Sequence, residues 1–134
     1  MPEQPSAKTI LIVEDDTFLL SMYVTKMELA GYGIIQATDG KQALQIALEK
    51  RPDILLLDIL IPEMDGFEVL KALKEDSRGK TIPVILLTNL GQKEDIEKGI
   101  AMGANDYLIK AHFTPQEVMQ KIEKVLTEAA AKGV

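Results

Sequence analysis

The stretch Ile54-Leu55-Leu56-Leu57-Asp58 places an acidic residue directly after a continuous apolar run. A strand with one face in water alternates apolar and polar residues, whereas a strand covered on both faces is apolar throughout. The run is therefore typical of a strand in a parallel sheet that helices cover on both sides. Because an unpaired carboxylate is costly in apolar surroundings, Asp58 is a stronger candidate for a functional residue than for a structural one.

Other short apolar runs lie on both sides of this stretch, and each predicts a further strand. They are Ile10–Val13, Val84–Leu87, Tyr107–Ile109 and the weaker run Ile34–Ala37. Each run is followed by a segment of 10 to 16 residues with a helical pattern. The chain is thus predicted to repeat a strand and a helix five times.

The predicted helices have recognisable boundaries. The first spans about residues 17–30 and ends at Gly31, a C-terminal cap. Asp39, Asp65 and Thr114 are each followed three residues later by Gln or Glu, a spacing typical of helix starts. The fourth helix, at about residues 93–102, has no good capping residue at its start.

Repeated strand–helix units with right-handed crossovers give a parallel sheet with helices on both faces. A closed eight-stranded barrel needs about 250 residues, more than the 134 of this chain. We therefore predict an α/β fold with a doubly wound, five-stranded parallel sheet in the order 2-1-3-4-5, a flavodoxin-like (βα)5 arrangement. Residues 9–128 are predicted to form this domain, residues 1–8 a loose arm, and residues 129–134 a fraying helix end or a linker stub.

Composition excludes several classes of function. The chain has 21 acidic and 15 basic residues, a net charge of −6, which argues against direct binding to a nucleic-acid backbone. It has no cysteine, so disulfides and thiolate metal sites are excluded, and a cytoplasmic location is expected. No apolar run approaches the roughly 18 residues of a membrane helix, so no membrane association is predicted.

Polar residues collect at the carboxyl ends of the predicted strands, where open α/β sheets form their sites. Strands one and three are neighbours in the predicted order, so the carboxylates that follow them are expected to converge and repel. A divalent cation relieves this repulsion, and together with a nearby lysine it balances the charge and favours a phosphoryl group. Asp16 is predicted to be only a helix cap. The candidate site residues are Glu14, Asp15, Asp58, Thr88 and Lys110.

These residues, in this order and spacing, resemble the receiver domain of bacterial two-component response regulators. The resemblance covers about residues 8–128 and also rests on Leu56-Leu57, Pro62, Asp65-Gly66, Leu87 and Tyr107-Leu108-Ile109. It implies that Asp58 accepts a phosphoryl group from a phosphohistidine. It further implies that Asp15 and Asp58 bind Mg²⁺, or Mn²⁺ in its place, with Glu14 acting through water and Leu60 through its backbone carbonyl.

The resemblance also implies a switch and a set of partners. Lys110 would pair with the phosphoryl group, Thr88 would move to hydrogen-bond it, and Tyr107 would turn inward as Thr88 moves. The output face would be helix four, strand five and helix five. Implied partners are a sensor histidine kinase or phosphotransfer protein, a downstream target or an output domain outside this chain, and a second copy of the chain. No turnover of an external substrate is expected, only self-catalysed phosphorylation and dephosphorylation of Asp58.

Departures from the family pattern keep an alternative open. Ala111 follows Lys110 where the family usually has Pro, and Asn89 follows Thr88 where a small residue is usual. The alternative function is a degenerate receiver that acts as a phosphorylation-independent interaction module. Two other classes fit less well: Glu14-Asp15-Asp16 would repel a flavin phosphate, and Leu60 stands where a haloacid-dehalogenase-like phosphatase needs an acid.

Two apolar residues near the site suggest a long phosphoryl lifetime. Leu60 and Leu90 lie two residues after Asp58 and Thr88, respectively. Neither side chain can orient an attacking water by a hydrogen bond. We therefore hypothesise that the phosphorylated form is comparatively long-lived.

Overall fold

A computed structural model describes residues 7–132 of the chain. Its strands are β1 (Thr9–Val13), β2 (Gly33–Ala37), β3 (Ile54–Leu57), β4 (Val84–Thr88) and β5 (Asp106–Ile109). All four neighbouring pairs are parallel, and the sheet order is β2-β1-β3-β4-β5. The predicted fold class and strand order are confirmed.

Five α-helices of the described chain alternate with the strands. They are α1 (Thr17–Leu29), α2 (Gly40–Lys50), α3 (Gly66–Glu75), α4 (Lys93–Ala101) and α5 (Pro115–Lys132). A short 3₁₀ turn, Lys110–His112, lies between β5 and α5. Part of the segment predicted as a fraying end or linker, residues 129–132, continues α5. Residues 133–134 and most of the predicted loose arm, residues 1–6, lie outside the described residues.

Helix boundaries follow from capping residues that the sequence already contains. Asp16 caps α1 by accepting hydrogen bonds from the next turn, and Asp65 forms a reciprocal capping box with Glu68 at the start of α3. Thr114 forms the same kind of box at the start of α5. At α2 the expected box is only half formed, because Gln42 accepts from the N–H of Thr38 instead of reaching Asp39.

The sheet separates two apolar cores, which explains why the strands are apolar throughout. Alternate strand residues, such as Leu55 and Leu57, pack on one face against α2, α3 and α4. The residues between them, such as Ile54 and Leu56, pack on the other face against α1 and α5. Each strand therefore buries both of its faces, as its sequence predicts. In the described chain no helix is both long and apolar enough to span a bilayer.

Candidate functional site

The carboxyl ends of the central strands bring the predicted site residues together. Val13, the last residue of β1, is in register with Leu57, the last residue of β3, so the residues that follow them emerge side by side. Among the described residues, the buried polar or charged ones are only Glu14, Asp58 and Thr88, with 3%, 4% and 0% exposure. Buried carboxylates are costly unless they are paired, so this concentration makes this end of the sheet the candidate functional site.

Lys110 joins the two buried carboxylates. Its ammonium nitrogen lies 2.6 Å from Oδ2 of Asp58 and also forms an ion pair with Oε1 of Glu14. The remaining carboxylate oxygens accept from backbone N–H groups, Oδ1 of Asp58 from Leu60 and Oε2 of Glu14 from Asp16, each at 3.1 Å. Every oxygen of the two buried carboxylates thus has a partner, which is what allows both charges to remain in the interior.

The electrostatic balance of this cluster keeps Lys110 charged. Burial alone would lower the pKa of Lys110, but its hydrogen bonds to Asp58 and Glu14 outweigh burial and raise the pKa above its usual value. For Glu14 burial is the larger effect, so its pKa is raised although the hydrogen bond from Lys110 opposes the change. Lys110 therefore keeps its charge beside Glu14 and Asp58.

Asp15 completes an acidic group that suits a hard cation. Its side chain is exposed at the rim of the site. Carboxylate oxygens of Glu14, Asp15 and Asp58 all lie within 4.8 Å of one another. Carboxylate oxygens are the ligands that Mg²⁺ and Mn²⁺ prefer. The donor set that the structure assembles therefore fits the predicted metal, and the three acidic residues predicted to converge do so.

Thr88 and Tyr107 both hydrogen-bond to the backbone of Leu90, in the loop between β4 and α4. Oγ1 of Thr88 accepts from the N–H of Leu90 at 3.3 Å, and the hydroxyl of Tyr107 donates to the carbonyl of Leu90. Burial, with smaller contributions from the charges of Asp95 and Asp58, raises the pKa of Tyr107 to about 12. Leu90 is thus held from both sides by the two residues predicted to form the switch.

Some residues of the site were not identified from the sequence. The backbone N–H groups of Leu60 and Asp16 carry no side-chain signal. Tyr23 of α1 is part of an apolar helix face, yet it is buried close enough to the site for Lys110, Glu14 and Asp58 to affect its pKa, which burial raises. Gly66 was identified from the sequence only as part of the pair Asp65-Gly66. A Cβ atom there would lie 2.6 Å from the carbonyl oxygen of Asp58, so the absence of a side chain lets α3 begin against the backbone that follows β3.

The peptide bond between Lys110 and Ala111 is trans. Ala111 and Asn89, the two departures from the family pattern, are both exposed at the edge of the site. Neither interrupts the cluster of Glu14, Asp58 and Lys110.

Comparison with known proteins gives a consistent match. The family model of the response regulator receiver domain matches residues 10–123. The DNA-binding dual master transcriptional regulator RpaA of Synechocystis sp. is 38% identical over 117 residues, which are 87% of this chain and 48% of that protein. The chain spans about half the length of the curated relatives it matches.

Two solved structures are similar over nearly the whole chain. A CheY-like response regulator receiver domain protein from Methanospirillum hungatei JF-1 has a TM-score of 0.88 and 28% identity, covering 95% of this chain and 99% of that one. The receiver domain of a sensor histidine kinase from Pseudomonas aeruginosa PAO1 has a TM-score of 0.82 and 28% identity, covering 91% and 99%. The latter is described with a magnesium ion coordinated in its active-site cleft.

Proposed function

The chain belongs to the family of response regulator receiver domains, and from this premise we propose that Asp58 is its phosphoryl acceptor in two-component signalling. The observation that carries the proposal is the contact of 2.6 Å between Asp58 Oδ2 and the ammonium of Lys110, inside a buried acidic cluster. A carboxylate held in this way is fixed in position for nucleophilic attack. The ammonium beside it is fixed in position to receive the charge of a phosphoryl group.

The reaction transfers a phosphoryl group from a phosphohistidine to Asp58. An oxygen of Asp58 forms a bond to phosphorus while the bond between phosphorus and the imidazole nitrogen breaks, and the electron pair leaves with the imidazole. Lys110 remains protonated and neutralises a phosphoryl oxygen. Glu14, Asp15, Asp58 and the backbone carbonyl of Leu60 would hold Mg²⁺ or Mn²⁺, which supplies further positive charge to the phosphoryl oxygens when bound.

Phosphorylation changes the hydrogen bonds of the loop between β4 and α4. It converts a side chain of charge −1 into one of roughly −2 with three acceptor oxygens. The hydroxyl of Thr88 is then drawn to donate to a phosphoryl oxygen, which weakens its contact with the N–H of Leu90. Because the Leu90 carbonyl also binds the hydroxyl of Tyr107, a shift of this loop releases Tyr107. We propose that this shift alters the face formed by α4, β5 and α5.

The partners follow from the same proposal. The donor is a sensor histidine kinase or a phosphotransfer protein. The altered face acts on an output domain beyond this chain, on a separate target protein, or on a second copy of the chain. The relative RpaA is named as a DNA-binding transcriptional regulator and is about twice as long as this chain, which supports a role as the regulatory part of a longer regulator.

Phosphorylation by acetyl phosphate tests the acceptor assignment. The protein is incubated with acetyl phosphate and Mg²⁺, and its intact mass is measured beside the Asp58→Asn variant. We expect a gain of one phosphate, about 80 Da, that requires the metal and is absent from the variant. Asp76→Asn is the matched control, because Asp76 lies in the connection between α3 and β4, away from the cluster.

Two results would contradict the assignment. An equal gain in the Asp58→Asn variant would place the acceptor elsewhere. No gain with acetyl phosphate or with purified histidine kinases, in a protein that binds Mg²⁺, would favour the phosphorylation-independent interaction module.

A further inference from the structure

The ammonium of Lys98 on α4 lies over the aromatic ring of Phe67 on α3. Its nitrogen is 4.2 Å from the ring centre, within the roughly 6 Å over which a ring face attracts a cation. In the part of the chain that the structure describes, Lys98 forms no ion pair with a carboxylate. Lys98 is exposed, whereas Phe67 is buried. The contact therefore joins the surface of α4 to a ring that belongs to the core.

The two ends of this contact are held to different degrees. Phe67 follows Gly66, whose N–H donates to the carbonyl of Ile59 at 2.9 Å, so the ring belongs to a helix start that is fixed to the backbone after β3. In α4 only Gly99 is buried, and no side chain caps the start of the helix. Because so little surface of α4 is buried, one side-chain contact has a large effect on where this helix lies.

The last turn of α4 contacts two aromatic rings. Lys98 contacts Phe67, and Gly99 packs so close to Tyr107 that a Cβ atom there would lie 3.0 Å from the ring. The hydroxyl of the same Tyr107 donates to the carbonyl of Leu90, in the loop that precedes α4. The position of α4 is thus connected both to α3 and to the residues of the proposed switch.

We propose that the contact between Lys98 and Phe67 is a restraint that keeps α4 in the position it has while Thr88 binds the N–H of Leu90. The inference rests on the proposed response of this loop to phosphorylation of Asp58, and it adds a positioning residue. When the loop shifts, α4 moves Lys98 away from the ring and the contact is lost. The restraint lowers the population of the shifted conformation, and so it weakens the affinity of the acceptor site for a phosphoryl group.

Binding of trifluoroberyllate, a phosphoryl mimic that attaches to a carboxylate oxygen, tests the proposal. Its dissociation constant is measured with Mg²⁺ by titration followed by amide NMR. Lys98→Gln removes the cation, and Lys98→Arg keeps a cation that a ring face also attracts. Lys93→Gln is the matched control, because Lys93 is an exposed residue of the same helix that pairs with Glu97 and not with a ring.

We expect Lys98→Gln to bind the mimic about two- to fivefold more tightly, and Lys98→Arg and Lys93→Gln to keep the natural affinity. Phe67→Leu removes the ring, so adding Lys98→Gln to that variant should change its affinity no further. An unchanged affinity in Lys98→Gln, an equal gain in Lys93→Gln, or the same gain without the ring overturns the proposal. If the natural chain does not bind the mimic, the acceptor role itself fails, and the inference fails with it.

Discussion

The connection after β3 and the connection after β4 both carry site residues, but the fold holds them to different degrees. After β3, the backbone at Asp58 and Ile59 packs directly against Gly66, whose N–H donates to the Ile59 carbonyl at 2.9 Å. The helix that follows, α3, has a complete capping box and five buried residues. After β4, α4 begins at Lys93, Gln92 before it provides no side-chain cap, and the helix buries only Gly99.

This difference separates the chemical and the responsive parts of the site. A nucleophile must remain in one position to attack phosphorus, and tight backbone contacts provide that. A switch must have a second position at small cost, and a helix with little buried surface allows it. The comparison indicates that the same edge of the sheet carries a rigid loop after β3, which holds the proposed acceptor Asp58, and a loosely held loop after β4, the proposed response loop.

Replacing one glycine in each loop by alanine gives the largest expected difference in the free energy of unfolding. A Cβ atom at residue 66 would lie 2.6 Å from backbone atoms of Asp58 and Ile59, whereas at residue 91 the nearest atom is the flexible end of Ile109, at 3.1 Å. We expect Gly66→Ala to lower the free energy of unfolding by about 1–3 kcal/mol and Gly91→Ala to change it by less than about 0.5 kcal/mol. Urea denaturation measures both, and equal losses would contradict the comparison.

Removal of the Tyr107 hydroxyl tests how much the response loop depends on one hydrogen bond. Tyr107→Phe keeps the ring against Gly99 but loses the bond to Leu90, at a cost of about 1 kcal/mol near neutral pH. The pKa of about 12 in the folded protein is higher than the roughly 10 of an unfolded tyrosine. A raised pKa stabilises the fold below pH 10, and this contribution is lost as the pH rises toward 12.

The unfolding free energies of the natural chain and Tyr107→Phe are therefore compared at pH 8 and pH 11. We expect the advantage of the natural chain to shrink at the higher pH. An advantage that grows with pH would show that the hydroxyl is not buried in the way described.

Polar substitutions beside the acceptor give the smallest expected energetic effect. Leu60 lies on the rigid loop with 57% exposure, and Leu90 lies on the response loop. If neither orients water in the natural chain, Leu60→Asn and Leu90→Glu should shorten the lifetime of phosphorylated Asp58 by roughly threefold or more, about 0.7 kcal/mol of barrier. The effect should be larger for Leu60→Asn, because its loop holds an added amide in a fixed position.

Loss of phosphate after removal of the donor measures both lifetimes. Leu29→Asn is the control, because Leu29 is an apolar residue at the end of α1 with 82% exposure. Unchanged or longer lifetimes in the first two variants would contradict the hypothesis of a long-lived phosphorylated form.

Much of the fold could be predicted because its signals are local. The run from Ile54 to Leu57 indicates a strand buried on both faces, and caps such as Asp16 and Asp65 indicate where helices begin. The failed half of the box at Gln42 shows the limit of such signals. The Gln42 side chain has two backbone N–H donors in reach. The local path of the chain, which the spacing alone does not specify, decides which of them it binds.

The sequence by itself determined the order of strands and helices. It also determined which acidic, hydroxyl and lysine residues reach one end of the sheet, because each of these residues follows an apolar run. Only the tertiary structure decided that Lys110 contacts both Glu14 and Asp58, that Leu90 lies between Thr88 and Tyr107, and that the ammonium of Lys98 lies over the ring of Phe67. These contacts join residues far apart in the chain, so their distances depend on how the strands and helices pack.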